Sequence, residues 1–142
     1  HPGNYAFNDR IQLSNGTAEE EECALAVYAT VISRPRPELL ICDAGAKCLG
    51  LDQGAHGNGS IRGFGAVVGH PELTVVGLSE EVGKIRADGP TDLQVGDIIR
   101  IIPNHACSTA NLTSYYVGVR GDEAERLIAV DLRSNATKKG FE

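Results

Sequence analysis

His105 and Cys107 are the residues whose types and spacing could most directly do chemistry in this chain. They close the segment Ile98-Ile99-Arg100-Ile101-Ile102-Pro103-Asn104-His105-Ala106-Cys107, in which an apolar run meets a proline and then delivers an imidazole and a thiol. In extended backbone, side chains at i and i+2 share a face, about 7 Å apart. Read that way, both can lean onto one ion. Imidazole and thiolate are the usual zinc ligands, at about 2.0–2.1 Å and 2.3 Å. Two ligands leave a tetrahedral shell open to water, substrate or a group from elsewhere, which is the pattern of a catalytic ion rather than a structural one. The same pair also fits a plainer description, a satisfied polar side chain beside a small hydrophobe, and H-x-C is too short a motif to decide between them.

The other candidates are weaker. His56 sits in a Gly/Asn/Ser loop over residues 52–63, and His70 precedes a proline; both read as surface residues rather than ligands. Lys47 reads as a strand-end cation near Asp43. Cys23 and Cys42 lie in apolar stretches and read as buried thiols.

The elements that must position these residues read as mainly β, a compact barrel or sandwich with at most short helices. Strands are expected over residues 5–8, 23–34, 39–43, 64–68, 73–78 and 98–102, with Pro35 and Pro37 ending the second of them. Residues 112–120 and 126–132 read as a terminal hairpin across Gly121-Asp122. Residues 46–51 have room for one helical turn, residues 17–26 for a short helix, and residues 79–83 read as a turn. The domain is expected to occupy residues 1–133, followed by a polar tail over 134–142.

A chain of 142 residues is enough for one domain with its own core. Net charge is −6, without a basic run, which argues against a nucleic-acid partner. No apolar run approaches the roughly 18–20 residues that span a bilayer, and the start of the chain lacks the layout of a signal peptide. The sequence contains no methionine, so it reads as a piece of a longer protein, with a processed secreted protein as the alternative. Four cysteines are few for a disulfide scaffold in a domain with an adequate core. The sequons at Asn15, Asn58, Asn111 and Asn135 carry glycans only in a secreted protein.

Several motifs then fall into one order: Pro2-Gly3-Asn4-Tyr5-Ala6-Phe7-Asn8-Asp9, Cys23-Ala24-Leu25 with the Ala-Thr-Val-Ile-Ser-Arg-Pro run after it, Asp43-Ala44-Gly45-Ala46-Lys47, Leu78-Ser79-Glu80-Glu81 with Gly83, Val95-Gly96-Asp97, and Pro103-Asn104-His105-Ala106-Cys107. The set, covering nearly the whole chain, resembles the C-terminal β-domain of the D-threonine aldolase and D-serine dehydratase family. That family is similar to the fold-type III pyridoxal-phosphate enzymes, akin to alanine racemase. The resemblance implies an N-terminal (β/α)₈ barrel, absent from this chain, that holds pyridoxal phosphate on a lysine. It implies zinc, or another divalent metal, on His105 and Cys107, and D-β-hydroxy amino acids as substrates for elimination or aldol cleavage. Asn4 and Tyr5 lie where such chains return from the barrel, and their segment is a candidate to approach the cofactor phosphate. Relatives often place the active site at a dimer interface. The implied compartment is the cytoplasm, and the isolated chain is expected to be inactive. A stand-alone binding or regulatory module of the same fold is the alternative, and a secreted β-sandwich with glycans and disulfides a third reading. One departure stands out: members commonly carry a histidine after Ser-Glu-Glu, and here the residue is Val82, which puts substrate contacts at that point in doubt.

Overall fold

The computed structural model describes residues 4–53, 59–121, 123–131 and 133. Pro2, Gly3, His56, Asn58, Asn135 and the tail over 134–142 lie outside the described residues. In chain order the elements are α1 (Arg10–Asn15), a 3₁₀ turn (Glu20–Glu22), β1 (Val27–Arg36), β2 (Leu39–Cys42), α2 (Ala46–Leu49), β3 (Ala66–Val67), β4 (Leu73–Leu78), β5 (Gly83–Ala87), β6 (Ile98–Ile102), α3 (Ala106–Asn111), β7 (Tyr115–Arg120) and β8 (Glu123–Ala129).

Six strands form one antiparallel sheet in the order β3-β6-β1-β2-β5-β4. Its two ends approach each other, and the Phe64 amide donates to the Val75 carbonyl at 3.0 Å across the gap. The result is a nearly closed barrel, the mainly β fold expected from the strand pattern. Alternation decides which side chains enter it. On β1, Ala29 and Val31 turn inward while Tyr28 and Ile32 are exposed. Ala29 is paired with Ile99 and Val31 with Cys42. Val31, Leu40, Cys42, Val75, Ile85 and Ile101 fill the interior, each at 0% exposure. Cys23 and Cys42 are buried, as their apolar surroundings suggested.

Several elements differ from the sequence reading. Residues 5–8 are a turn rather than a strand: the Asn8 amide returns to the Asn4 carbonyl at 3.0 Å, and Asn8 takes φ 51°. That turn feeds α1, which was not anticipated. β1 begins later than expected and runs on through Pro35, because its pairing with β2 is irregular between Ser33 and Arg36 and asks no ladder hydrogen bond of the proline. β5 was read only as the end of a turn. Gly83, Ile85 and Ala87 face inward and Lys84 and Arg86 outward, but glycine and alanine at two of the three inward positions hide the period. Gly83 is required there, since a Cβ would lie 2.6 Å from the Ala44 carbonyl oxygen. The hairpin β7–β8 is a separate two-stranded sheet beginning at Tyr115 rather than residue 112. Lys47 pairs with Glu81, and with Glu80 at 4.0 Å, rather than with Asp43. The Asp43 carboxylate instead accepts from the Thr30 amide at 2.7 Å.

Candidate metal centre

β6 delivers the site. Its last residues, Ile101 and Ile102, are fully buried, and Pro103 and Asn104 stay inside as the strand ends. His105 is still extended, at φ −137° and ψ 106°, and is the N-cap residue of α3. Cys107 is the second helical residue and is exposed. The two therefore flank a strand-to-helix turn and do not share a strand face, so the extended i, i+2 geometry does not apply. The sequence Ala-Cys-Ser-Thr-Ala-Asn is a weak helix former. Tertiary contacts hold α3 in place: the Ala106 amide donates to the Asp9 carboxylate at 2.7 Å, and the Thr109 hydroxyl to the Leu49 carbonyl at 2.9 Å.

Asp9 is the residue that sequence reasoning missed. It is the N-cap of α1, accepting from the Ile11 amide at 2.9 Å, while Gln12 closes the capping box on the Asp9 amide at 3.0 Å. The pattern Asp-x-x-Gln was the signal that could have found this helix start. Nothing in the sequence placed Asp9 against residue 105. In the fold the Asp9 carboxylate is 0% exposed and lies 3.5 Å from the His105 Nδ1. That nitrogen is buried without a hydrogen-bond partner, whereas the His105 side chain as a whole is 32% exposed. One edge of the ring is thus closed by protein and the rest reaches the surface.

Asn104 anchors the turn. Its amide donates to the carbonyls of Asp52 and Gly63, both at 2.7 Å, and its oxygen accepts from the Arg10 guanidinium at 3.3 Å. Arg10 also reaches the carbonyls of Arg62 and Gly65, at 2.6 and 2.9 Å, and burial pulls its pKa below the usual guanidinium value. On the outer side, the Ser108 hydroxyl donates to the Asp52 carboxylate and lies 3.1 Å from the His105 carbonyl. Among the described residues, no group of three or more His, Cys, Asp or Glu side chains converges as an ion cage. His105 and Cys107 stand on either side of the turn, one imidazole and one thiol. An imidazole backed by a carboxylate, with an accessible thiol two residues on, has the donor types that suit a soft-ligand divalent ion.

The remaining candidates lie apart. The Asn4 amide donates to Asp9, and to Gln12 at 3.2 Å, so it is committed to the protein, although its Oδ1 is buried without a partner. Tyr5 is 75% exposed. His70 pairs with Glu72 at 3.0 Å. A cleft of about 890 Å³ between the barrel and the β7–β8 hairpin is lined by Phe7, Cys23, Tyr28, Arg100 and Tyr116, and neither His105 nor Cys107 reaches it. Burial first, then the Asp9, Glu20 and Glu22 charges, pushes the Cys23 thiol up to about 11. Burial likewise raises Cys42 and Cys48. Among the described residues, no helix is long and apolar enough to cross a membrane.

A nearly closed antiparallel barrel with only short helices places the chain in the class of mainly β domains. Residues 24–119 match the family described as "Putative serine dehydratase domain". The chain belongs to this D-serine dehydratase-like family. It is 37% identical over 131 residues to D-serine dehydratase of Dictyostelium discoideum, an alignment covering 86% of this chain and 33% of that enzyme. It is 36% identical over 119 residues to an uncharacterized protein of Mycobacterium bovis, covering 80% of this chain and 86% of that protein. Two solved variants of D-threo-3-hydroxyaspartate dehydratase, an enzyme of Delftia sp. HT23, share the fold at 28% identity. One carries alanine for a histidine and superposes with TM-score 0.80, covering 92% of this chain and 36% of that one. The other, a metal-free form with alanine for a cysteine, gives TM-score 0.78 and covers 92% and 38%. The chain spans about a third of the length of the D-serine dehydratase it matches.

Proposed function

We propose that this chain is the metal-bearing C-terminal β-domain of a pyridoxal-phosphate-dependent lyase acting on D-β-hydroxy amino acids, of the dehydratase or aldolase type, and that it is inactive alone. The observation that carries the reading is the His105–Cys107 turn, with the ring closed on its Nδ1 edge by Asp9 and open elsewhere. The relatives support it: the histidine and cysteine replaced in the two dehydratase variants are two positions apart, the spacing of His105 and Cys107, and the cysteine variant is the metal-free form.

In the assembled enzyme, pyridoxal phosphate supplies an electron sink and a divalent ion supplies Lewis acidity toward a substrate hydroxyl. This chain's part is to hold and orient. His105 would offer an imidazole nitrogen and Cys107 its sulfur, the softer donor that favours zinc over manganese or magnesium. Asn104 and Pro103 fix the turn to the barrel end, so both ligands ride on a rigid support. The lysine that binds the cofactor belongs to the absent N-terminal barrel; Lys47 is engaged by Glu80 and Glu81. The approach to the cofactor phosphate falls to the Tyr5 hydroxyl and the backbone around Asn4, whose side chain is turned to Asp9. A small D-amino acid is the substrate, and a second copy of the chain is the expected partner at the active site. The exposed apolar residues of the hairpin, Tyr115, Val117, Val119 and Leu127, support a further protein surface beside this domain. Four free thiols support a reducing, cytoplasmic compartment.

A free-standing module of the same fold is the second reading, and the mycobacterial relative favours it, since this chain covers 86% of that protein. The test uses the full-length polypeptide. His105→Ala and Cys107→Ala should each strip zinc and abolish turnover of D-serine or D-threonine, while cofactor absorbance is retained. A double variant with near-parental zinc content and rate would remove both residues from the site. A reading frame that begins at this domain, with no barrel upstream, would favour the module.

A further inference from the structure

We propose that Asp9 is a positioning residue for the metal centre: its buried carboxylate stands against the Nδ1 edge of His105 and holds the ring so that Nε2 is the nitrogen left to take an ion. This rests on the reading of His105 as a ligand. Asp9 and His105 belong to opposite ends of the chain and meet because α1 docks beside the end of β6, where the Arg10 amide donates to the Pro103 carbonyl at 3.2 Å.

Helix capping alone does not account for Asp9. A cap needs one oxygen and works at the surface, and Oδ1 already serves it through Ile11. Complete burial of a carboxylate is costly unless hydrogen bonds or an opposite charge compensate it. The second oxygen, Oδ2, is where that compensation gathers: the Ala106 amide at 2.7 Å, the Asn4 amide, and the His105 Nδ1 at 3.5 Å. Nδ1 is buried and makes no hydrogen bond, and Oδ2 at 3.5 Å is its ion-pair neighbour. An imidazole that ligates through Nε2 keeps its hydrogen on Nδ1, and a carboxylate oxygen 3.5 Å away is placed to receive it. Nδ1 is on the buried edge of the ring, so Nε2 is the nitrogen left for an ion. Carboxylates behind ligating histidines orient the ring and raise its basicity, and losing one costs about 10–100-fold in metal affinity. The same oxygen receives the first amide of α3, so one carboxylate sets both the histidine ring and the start of the helix bearing Cys107.

The experiment measures zinc affinity, by competition with a chromophoric chelator, and melting temperature of the metal-free protein, both on the full-length polypeptide. Asp9→Asn should lower zinc affinity about 10–100-fold. Asp9→Ser keeps a capping oxygen for Ile11 and gives up the second one, and should show the same loss. Thr109→Ala removes the hydroxyl bond to Leu49 in the same helix without touching His105. It should lower the melting temperature and leave affinity within about threefold, a change well short of a lost second-shell partner. The proposal is overturned if both Asp9 variants bind zinc like the parent, or if Thr109→Ala loses as much affinity as they do. His105→Ala separates the two readings. If it loses zinc while the Asp9 variants keep it, Asp9 alone is misassigned. If it keeps zinc, the metal assignment fails first.

Discussion

Replacing Asn104 by alanine tests whether the site turn is held as the structure describes. Asn104 is 2% exposed, and its amide bridges the carbonyls of Asp52 and Gly63 at 2.7 Å each. Alanine removes both donors and leaves two carbonyls and the Arg10 contact to re-satisfy. A lost hydrogen bond costs about 0.5–1.5 kcal/mol, more when the partner stays buried, so the sum is about 2–4 kcal/mol. For a domain of this size that corresponds to a drop of roughly 6–12 °C in melting temperature. Asn104→Asp sharpens the test. It keeps the shape but turns a donor into an acceptor facing two carbonyls, and at neutral pH it should cost at least as much as alanine. The aspartate gains back one donor when protonated, and burial against two carbonyls raises its folded value, so its deficit relative to the parent should shrink as pH falls toward the unfolded value of about 4. Urea unfolding followed by circular dichroism, with the parent's m-value retained, provides the free energies. An alanine variant within about 1 kcal/mol of the parent, below the lower bound of the hydrogen-bond estimate, would refute the bridging role.

Further outcomes follow from the same structure. Gly63→Ala should fold poorly, because φ is +72° and its Cβ would lie 2.3 Å from the Val75 carbonyl oxygen at the barrel seam; thermal melting and soluble yield report it. The Cys23 thiol, raised to about 11, favours the folded state below its unfolded value of roughly 8.5, and that contribution fades as pH rises through 11. Cys23→Ala should therefore lose less melting temperature than the parent between pH 9 and 11, and parallel curves would count against it. Alkylation at pH 8 followed by peptide mass mapping should label exposed Cys107 well before buried Cys42, whose thiol is also raised by burial, and bound zinc should protect Cys107. Mixing the isolated chain with pyridoxal phosphate should yield no borohydride-trappable cofactor on a single lysine and no turnover of a D-hydroxy amino acid.

The sequence by itself determined the β architecture and the chemistry on offer. Strands β2, β4 and β6 were legible because β-branched residues, their alternation and their turn punctuation all act within a few residues. His105 and Cys107 were legible for the same reason, as two donor types in one short segment. Their geometry was not. The helix that begins between them has weak intrinsic propensity and is specified by Asp9 and Leu49, which lie 97 and 60 residues from their bonding partners. β5 was hidden because its first inward position is a glycine, kept small by the Ala44 carbonyl and the Cys42 sulfur, a constraint set by neighbouring residues rather than by hydrophobicity. Asn4 reads in sequence as a residue open to a cofactor, yet the fold turns its amide to Asp9 and Gln12. Local pattern records which groups a segment carries. Only the packing of α1 against the end of β6 decided which buried carboxylate stands behind the histidine, because burial and partner choice are properties of the whole chain.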